Sequence, residues 1–146
     1  MKKAIILAIS ISVFMLSCKN NDQDIIISET TTEGLVIEIT GLKSNDGEIV
    51  LNLTDDNEKT IQGVQSEIKD KKCTITITDL PVGKYAFQYF HDENSNDELD
   101  TSLGIPQEGY GFSNNAKGTF GPPKLEDMVF DFDGSLKMNC TIIYLF

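Results

Sequence analysis

The chain has 146 residues, with 12 basic against 23 acidic side chains and a formal charge of -11 at neutral pH. That length holds one domain with one core once an N-terminal leader is set aside. The acidic balance excludes nucleic acid as a partner, since phosphate binding needs a basic face, and it repels anionic lipid, so any membrane association must come from something other than charge.

Residues 1–17 read as a lipoprotein signal peptide. Lys2 and Lys3 precede an apolar run from Ala4 to Leu16 that is too short to span a bilayer. Leu16-Ser17-Cys18 resembles the lipobox of bacterial lipoproteins, which makes Cys18 the expected lipidation site and the lipid bilayer, reached through acylated Cys18, the expected partner. Residues 18–33 are a polar tether interrupted by Ile25-Ile26-Ile27. Fully extended, the tether reaches at most about 50 Å, enough for a domain at residues 34–146 to stand clear of a lipid surface.

From Gly34 the apolar pattern has period 2. Leu35, Ile37 and Ile39 alternate with Val36, Glu38 and Thr40, Asn45-Asp46-Gly47 marks a turn, and Ile49, Leu51 and Leu53 follow, which predicts two half-buried strands joined in a hairpin. Lys59 to Ile68 suits an edge strand, and Cys73, Ile75 and Ile77 alternate with threonines in another. At Leu80-Pro81-Val82-Gly83 the chain must turn a corner. Tyr85 then opens a strand to Phe90, in the position where sandwich domains place a tyrosine with its ring in the core and its hydroxyl returned to backbone. Leu103 to Pro123 is a long irregular segment. Met128 to Phe132, the turn Asp133-Gly134, and Leu136 to Phe146 predict a final hairpin. About seven strands and no long helical period give an all-β fold: a single antiparallel two-sheet sandwich, immunoglobulin-like or transthyretin-like.

Between the Tyr85 strand and the irregular segment lies His91-Asp92-Glu93-Asn94-Ser95-Asn96-Asp97-Glu98-Leu99-Asp100. Calcium takes six to eight oxygens at about 2.3 to 2.6 Å, and Asp92, Asn94, Asn96 and Asp100 fall at loop offsets 1, 3, 5 and 9, with the Glu98 carbonyl at offset 7. The loop therefore predicts a structural calcium ion. It is not a helical EF-hand, because Asp97 replaces the usual turn glycine and Leu103 stands where the bidentate carboxylate belongs, leaving Glu108 to supply the missing group. Asp tolerates a left-handed backbone, so the turn survives. The plainer alternative is a polar turn, since Asp and Asn dominate turns for local reasons.

Cys73 and Cys140 form a possible disulfide, which an export route would allow, but each sits in an alternating strand and two separate buried thiols fit equally well.

Leu80-Pro81-x-Gly83-x-Tyr85-Ala86, Phe90-His91-Asp92-Glu93-Asn94-x-Asn96-x-x-Leu99-Asp100 and Gly104-Ile105-Pro106-x-Glu108-Gly109-Tyr110-Gly111-Phe112-Ser113-Asn114-Asn115 together resemble the signature of the bacterial domain-of-unknown-function 2141 family. The resemblance implies an exported β-sandwich with no established activity.

Catalytic patterns are thin. His91 is the only histidine, and none of Ser95, Ser102 or Ser113 lies in a Gly-x-Ser-x-Gly elbow. One histidine and two strand cysteines do not make a zinc or copper centre. In Glu108 to Asn115 the glycines would let backbone approach a ligand, with Glu108, Tyr110, Phe112 and Asn114 as its contacts. The competing expectation has both aromatics folded inward over the end of the sandwich and the asparagines bonding local backbone. The expected function is a noncatalytic, lipid-anchored protein of the bacterial cell envelope, in the outer membrane, carrying a structural calcium loop. The alternatives are a module that binds an envelope protein or glycan through residues 108–115, and a hydrolase built on His91.

Overall fold

The computed structural model describes residues 34–146. The signal peptide, Cys18 and the tether lie outside the described residues.

Two sheets enclose one core. The first holds β1 (Gly34–Thr40) between β10 (Ser135–Thr141) and β4 (Cys73–Ile77); the second runs β3 (Thr60–Glu67), β2 (Glu48–Asp55), β5 (Gly83–Asp92) and β8 (Tyr110–Phe112), with β9 (Phe130–Phe132) on the opposite end of the same β5 edge. A small hairpin, β6 (Thr101–Ser102) and β7 (Ile105–Pro106), stands apart. Period-2 alternation fills the core. Leu35, Ile37, Ile39, Ile75 and Ile77 from one sheet meet Ile49, Leu51, Leu53, Phe87 and Phe132 from the other. Each such side chain stabilises the fold by roughly 1.5 to 3 kcal/mol relative to an exposed one. The Tyr85 hydroxyl donates to the Pro81 carbonyl at 2.8 Å, so the expected tyrosine corner is present.

The sandwich is observed, but one pairing is parallel: β1 runs alongside β10, Gly34 opposite Ser135 through Thr40 opposite Thr141. Both expected hairpins are instead crossings between sheets. β1 does not pair with β2, because the link between them carries Leu42 into the core as a plug that draws the chain from one sheet to the other. β9 and β10 likewise join different sheets through Asp133-Gly134. The turn residues turn as expected; their strands find other partners. Gly47 has φ +65, and a β-carbon there would lie 1.8 Å from the Asp92 carbonyl oxygen, so only glycine passes.

Cys73 and Cys140 are free and buried. They pair with Ile39 from opposite sides, on the two strands flanking β1. That places them two strand spacings, about 10 Å, apart, beyond the roughly 7 Å a disulfide spans. The disulfide expectation is corrected to two separate thiols. Burial raises both, the Cys140 thiol to about 11.

Candidate functional site

Inward alternation of the core strands dictates what the other face of the five-stranded sheet carries. With Ile49 and Leu51 of β2 and Phe87 and Tyr89 of β5 turned inward, the outward rows are Glu48 opposite Asp92, then Val50 opposite Phe90, then Asn52 opposite Gln88. β8 extends two of them, adding Tyr110 beside Phe90 and Phe112 beside Gln88. An acidic row, an aromatic row and an amide row thus lie side by side on one face.

The loop from Glu93 to Asp100 folds beside this face. Asp92 is fully buried, and its carboxylate accepts the amides of Asn96 (3.1 Å) and Asp97 (2.8 Å), tying the loop down at its start. Glu108, 5 % exposed, does the same from across the loop, accepting the amides of Glu93 (2.8 Å) and Asp100 (3.0 Å). Ser95 and Asp97 have φ +57 and +64, so the left-handed turn expected at Asp97 is there. Asn94 and Asn96 both point their amide nitrogens at Asp100, at 2.8 and 3.2 Å, and the Asn96 oxygen accepts the Glu98 amide.

Of the five expected calcium ligands, Asp92, Asn94, Asn96, Glu98 and Asp100, the last four make a hydrogen-bonded knot among themselves. The carboxylates that converge are Asp92, Glu48 and Asp97, with one oxygen of each within 4.8 Å of the others. The Gln65 amide donates to Asp97 at 2.5 Å. Glu48 has no counterpart in the loop spacing; it enters only because β2 pairs with β5. Glu108, expected to complete the coordination, holds backbone instead.

Tyr110 and Phe112 do not fold inward. Each is half-buried, their rings are T-shaped at 6.0 Å, and with Val50, Phe90 and Leu99 they line a largely apolar groove of about 190 Å³ to which Asn52 and Gln88 add amide groups. Gly111 takes the inward position between them. A second recess of about 150 Å³ starts from the same two amides and continues past Thr54 to Leu125 and Met128 of the short helix α1 (Leu125–Met128). Asn114 and Asn115 are engaged with backbone, though of distant segments rather than the local backbone of the competing expectation: the Asn114 amide reaches the carbonyls of Asp127, Met128 and Val129 at 3.0 to 3.2 Å, and Asn115 bonds the backbone of Asn139 and Thr141.

His91 faces the core end with no exposed surface. Its Nε2 lies 2.6 Å from the Asp46 carbonyl, which can only accept; in the neutral imidazole Nδ1 then accepts from the Tyr144 hydroxyl at 2.7 Å, with the Glu93 carboxylate 3.8 Å from the same nitrogen. Burial raises Tyr144, an amide bond from Lys43 opposes this, and Glu93 and Glu108 add to the rise. The Ser113 hydroxyl is spent on Met128 and the Phe87 amide, and neither Ser95 nor Ser102 hydrogen-bonds His91, so the hydrolase arrangement is not assembled among the described residues.

The motifs expected of one family are thus carried on a sandwich, and a family model described as "Uncharacterized protein conserved in bacteria (DUF2141)" matches residues 37–139. The chain belongs to this family. No curated protein and no solved structure matches it. The DUF2141 match runs from β1 to β10 and so spans the loop, the groove and the corner together.

Proposed function

We propose that the chain is a noncatalytic binding module of the bacterial cell envelope, anchored by acyl chains on Cys18, with the outer face of its five-stranded sheet as the binding surface. One observation carries the reading: Phe90, Tyr110 and Phe112 stand together and half-exposed on a face where alternation normally reserves polar residues. The lipobox-like Leu16-Ser17-Cys18 supports the anchor. In this reading calcium sits at Glu48, Asp92 and Asp97, stiffening the loop that supplies Leu99 to the groove. The donor set suits it, being hard carboxylate oxygens of which one is fully buried. Three like charges held this close gain from a cation between them.

The anchor is tested by fatty-acid labelling and fractionation: wild-type protein should label and sediment with membrane, and Cys18→Ser should do neither. The binding surface is tested by comparing wild type with Tyr110→Ala in affinity capture from envelope glycan and protein fractions. A ligand set unchanged by the substitution would remove the groove from the function.

A further inference from the structure

Resting on that reading, we infer that the groove takes an uncharged glycan, with one pyranose ring held against Phe90, Tyr110 and Phe112 and the next unit extending over Asn52 and Gln88. The walls are aromatic, and the face of a sugar ring is a patch of C–H groups that packs on an aromatic ring. The polar part of the lining is two carboxamides placed opposite each other in the β2–β5 register, and neither side chain has a hydrogen-bond partner among the described residues. An amide offers donors and an acceptor together, which matches hydroxyls that both give and take hydrogen bonds. A purely apolar ligand would leave both amides covered and unpaired, at a cost. Among the described residues no lysine or arginine lines the groove or the adjoining recess, whose one charged lining residue is Glu58, so phosphate, sulfate and carboxylate groups find no counter-charge there. The row beyond Phe90 is Glu48 and Asp92, which further disfavours anionic sugars. About 190 Å³ accommodates one ring rather than a long chain, and the second recess shares Asn52 and Gln88 with the first. The two amides therefore sit at the midpoint of a trough, which fits a linkage between sugar units.

The test is an NMR titration of the full-length, isotopically labelled protein in detergent at fixed millimolar calcium. The probes are glucose, galactose, mannose, N-acetylglucosamine and their linear di- to tetrasaccharides, with glucuronic acid and glucose 6-phosphate as charged counterparts. At least one neutral series should shift the Asn52 and Gln88 side-chain amides and the Tyr110 and Phe112 signals, and the disaccharide should bind more tightly than the monosaccharide. Tyr110→Phe should retain binding, while Tyr110→Ala and Phe112→Ala should each weaken it at least tenfold with an unchanged melting temperature. Shifts from the charged probes as large as from the neutral ones would overturn the class. No response of these amides to any neutral sugar would overturn the inference. If a panel of apolar peptides then moved the same signals, the binding reading would stand without the sugar; if nothing moved them, both would fall.

Discussion

Gly111 lies directly against the ring of Tyr89: a β-carbon built on it would fall 2.3 Å from the ring's Cζ and hydroxyl oxygen. The pair sets the depth at which β8 sits on β5. Because Gly111 yields the inward side to Tyr89, whose hydroxyl donates to the Thr141 carbonyl at 3.1 Å, Tyr110 and Phe112 on either side are turned out into the groove. Gly111→Ala should overpack this contact and cost about 1 to 3 kcal/mol. Gly63→Ala on the edge strand β3, where a β-carbon meets nothing within 4 Å, should be neutral or gain up to about 1 kcal/mol. Urea unfolding of the two variants checks both values, and equal stabilities would refute the packing argument.

Glu108→Gln keeps the size of the side chain but presents an NH₂ group to one of the two backbone amides that the carboxylate accepts. The expected cost is about 1 to 3 kcal/mol. Hydrogen exchange should accelerate at the Glu93 and Asp100 amides and leave those within β2 and β3 unchanged. Uniform acceleration would mean the loop is not the part that Glu108 holds.

Calcium at about millimolar concentration should raise stability by on the order of 0.4 to 1.4 kcal/mol if the site has the 10⁻⁴ to 10⁻³ M affinity of extracellular modules. Glu48→Gln and Asp97→Asn should each reduce the response, whereas Asp100→Asn should keep it, which separates the converging carboxylates from the loop knot. Magnesium should replace calcium poorly. Calorimetry with and without chelator reads all four proteins; a wild type indifferent to calcium removes the ion from the function.

Stability should fall in alkali. The Cys140 thiol, ordinarily near 9.0, is raised by burial to about 11, and the buried Tyr89 and the partly buried Tyr144 are raised as well, Tyr89 chiefly by burial. The unfolded chain loses these protons first; the Cys140 contribution is complete below about pH 9 and is lost as pH rises through about 11, and the raised tyrosines extend the fall to higher pH. For Cys140 alone the difference is worth roughly 2 to 3 kcal/mol. Denaturant melts at pH 8, 9.5 and 11 give the slope, and a flat profile contradicts it. By the same burial neither thiol should react with a disulfide reagent at pH 7.5 until the protein unfolds.

Leu103 and Gly104 form the two-residue turn of the β6–β7 hairpin, with φ +51 and +77, and Leu103 is fully exposed. A left-handed leucine with no contacts costs about 1 to 2 kcal/mol that asparagine largely avoids. Leu103→Asn should therefore raise the melting temperature. An unchanged or lower value would mean that the leucine makes contacts in solution.

The legible parts of the sequence were those fixed by neighbours in the chain. Tyr85 declared its corner because Pro81 and Gly83 are adjacent, and Asp97 declared its turn because the acidic loop is contiguous. What stayed hidden depended on strand pairing. Glu48 reaches Asp92 only through the β2–β5 register, and Asn45-Asp46-Gly47 looks the same whether the strands it joins pair or part. Leu42, a single apolar residue before the turn, was the one hint that they part. The outward aromatics had a signal too: Gly111 between Tyr110 and Phe112 is a strand pattern whose small residue belongs on the crowded side.

The parallel pairing of β1 with β10 has a consequence for the order in which the molecule can form. β1 is the central strand of its sheet and precedes nearly everything else in the domain, yet one of its two ladders is completed only by residues 135–141. Until those residues arrive, a strand as apolar as Leu35 to Ile39 has an open edge able to template unwanted pairing. Such long-range closure makes for slow folding. A chain cut short before Ser135 should accumulate as aggregate rather than as a smaller sandwich, so the domain closes only when its last strand returns to its first.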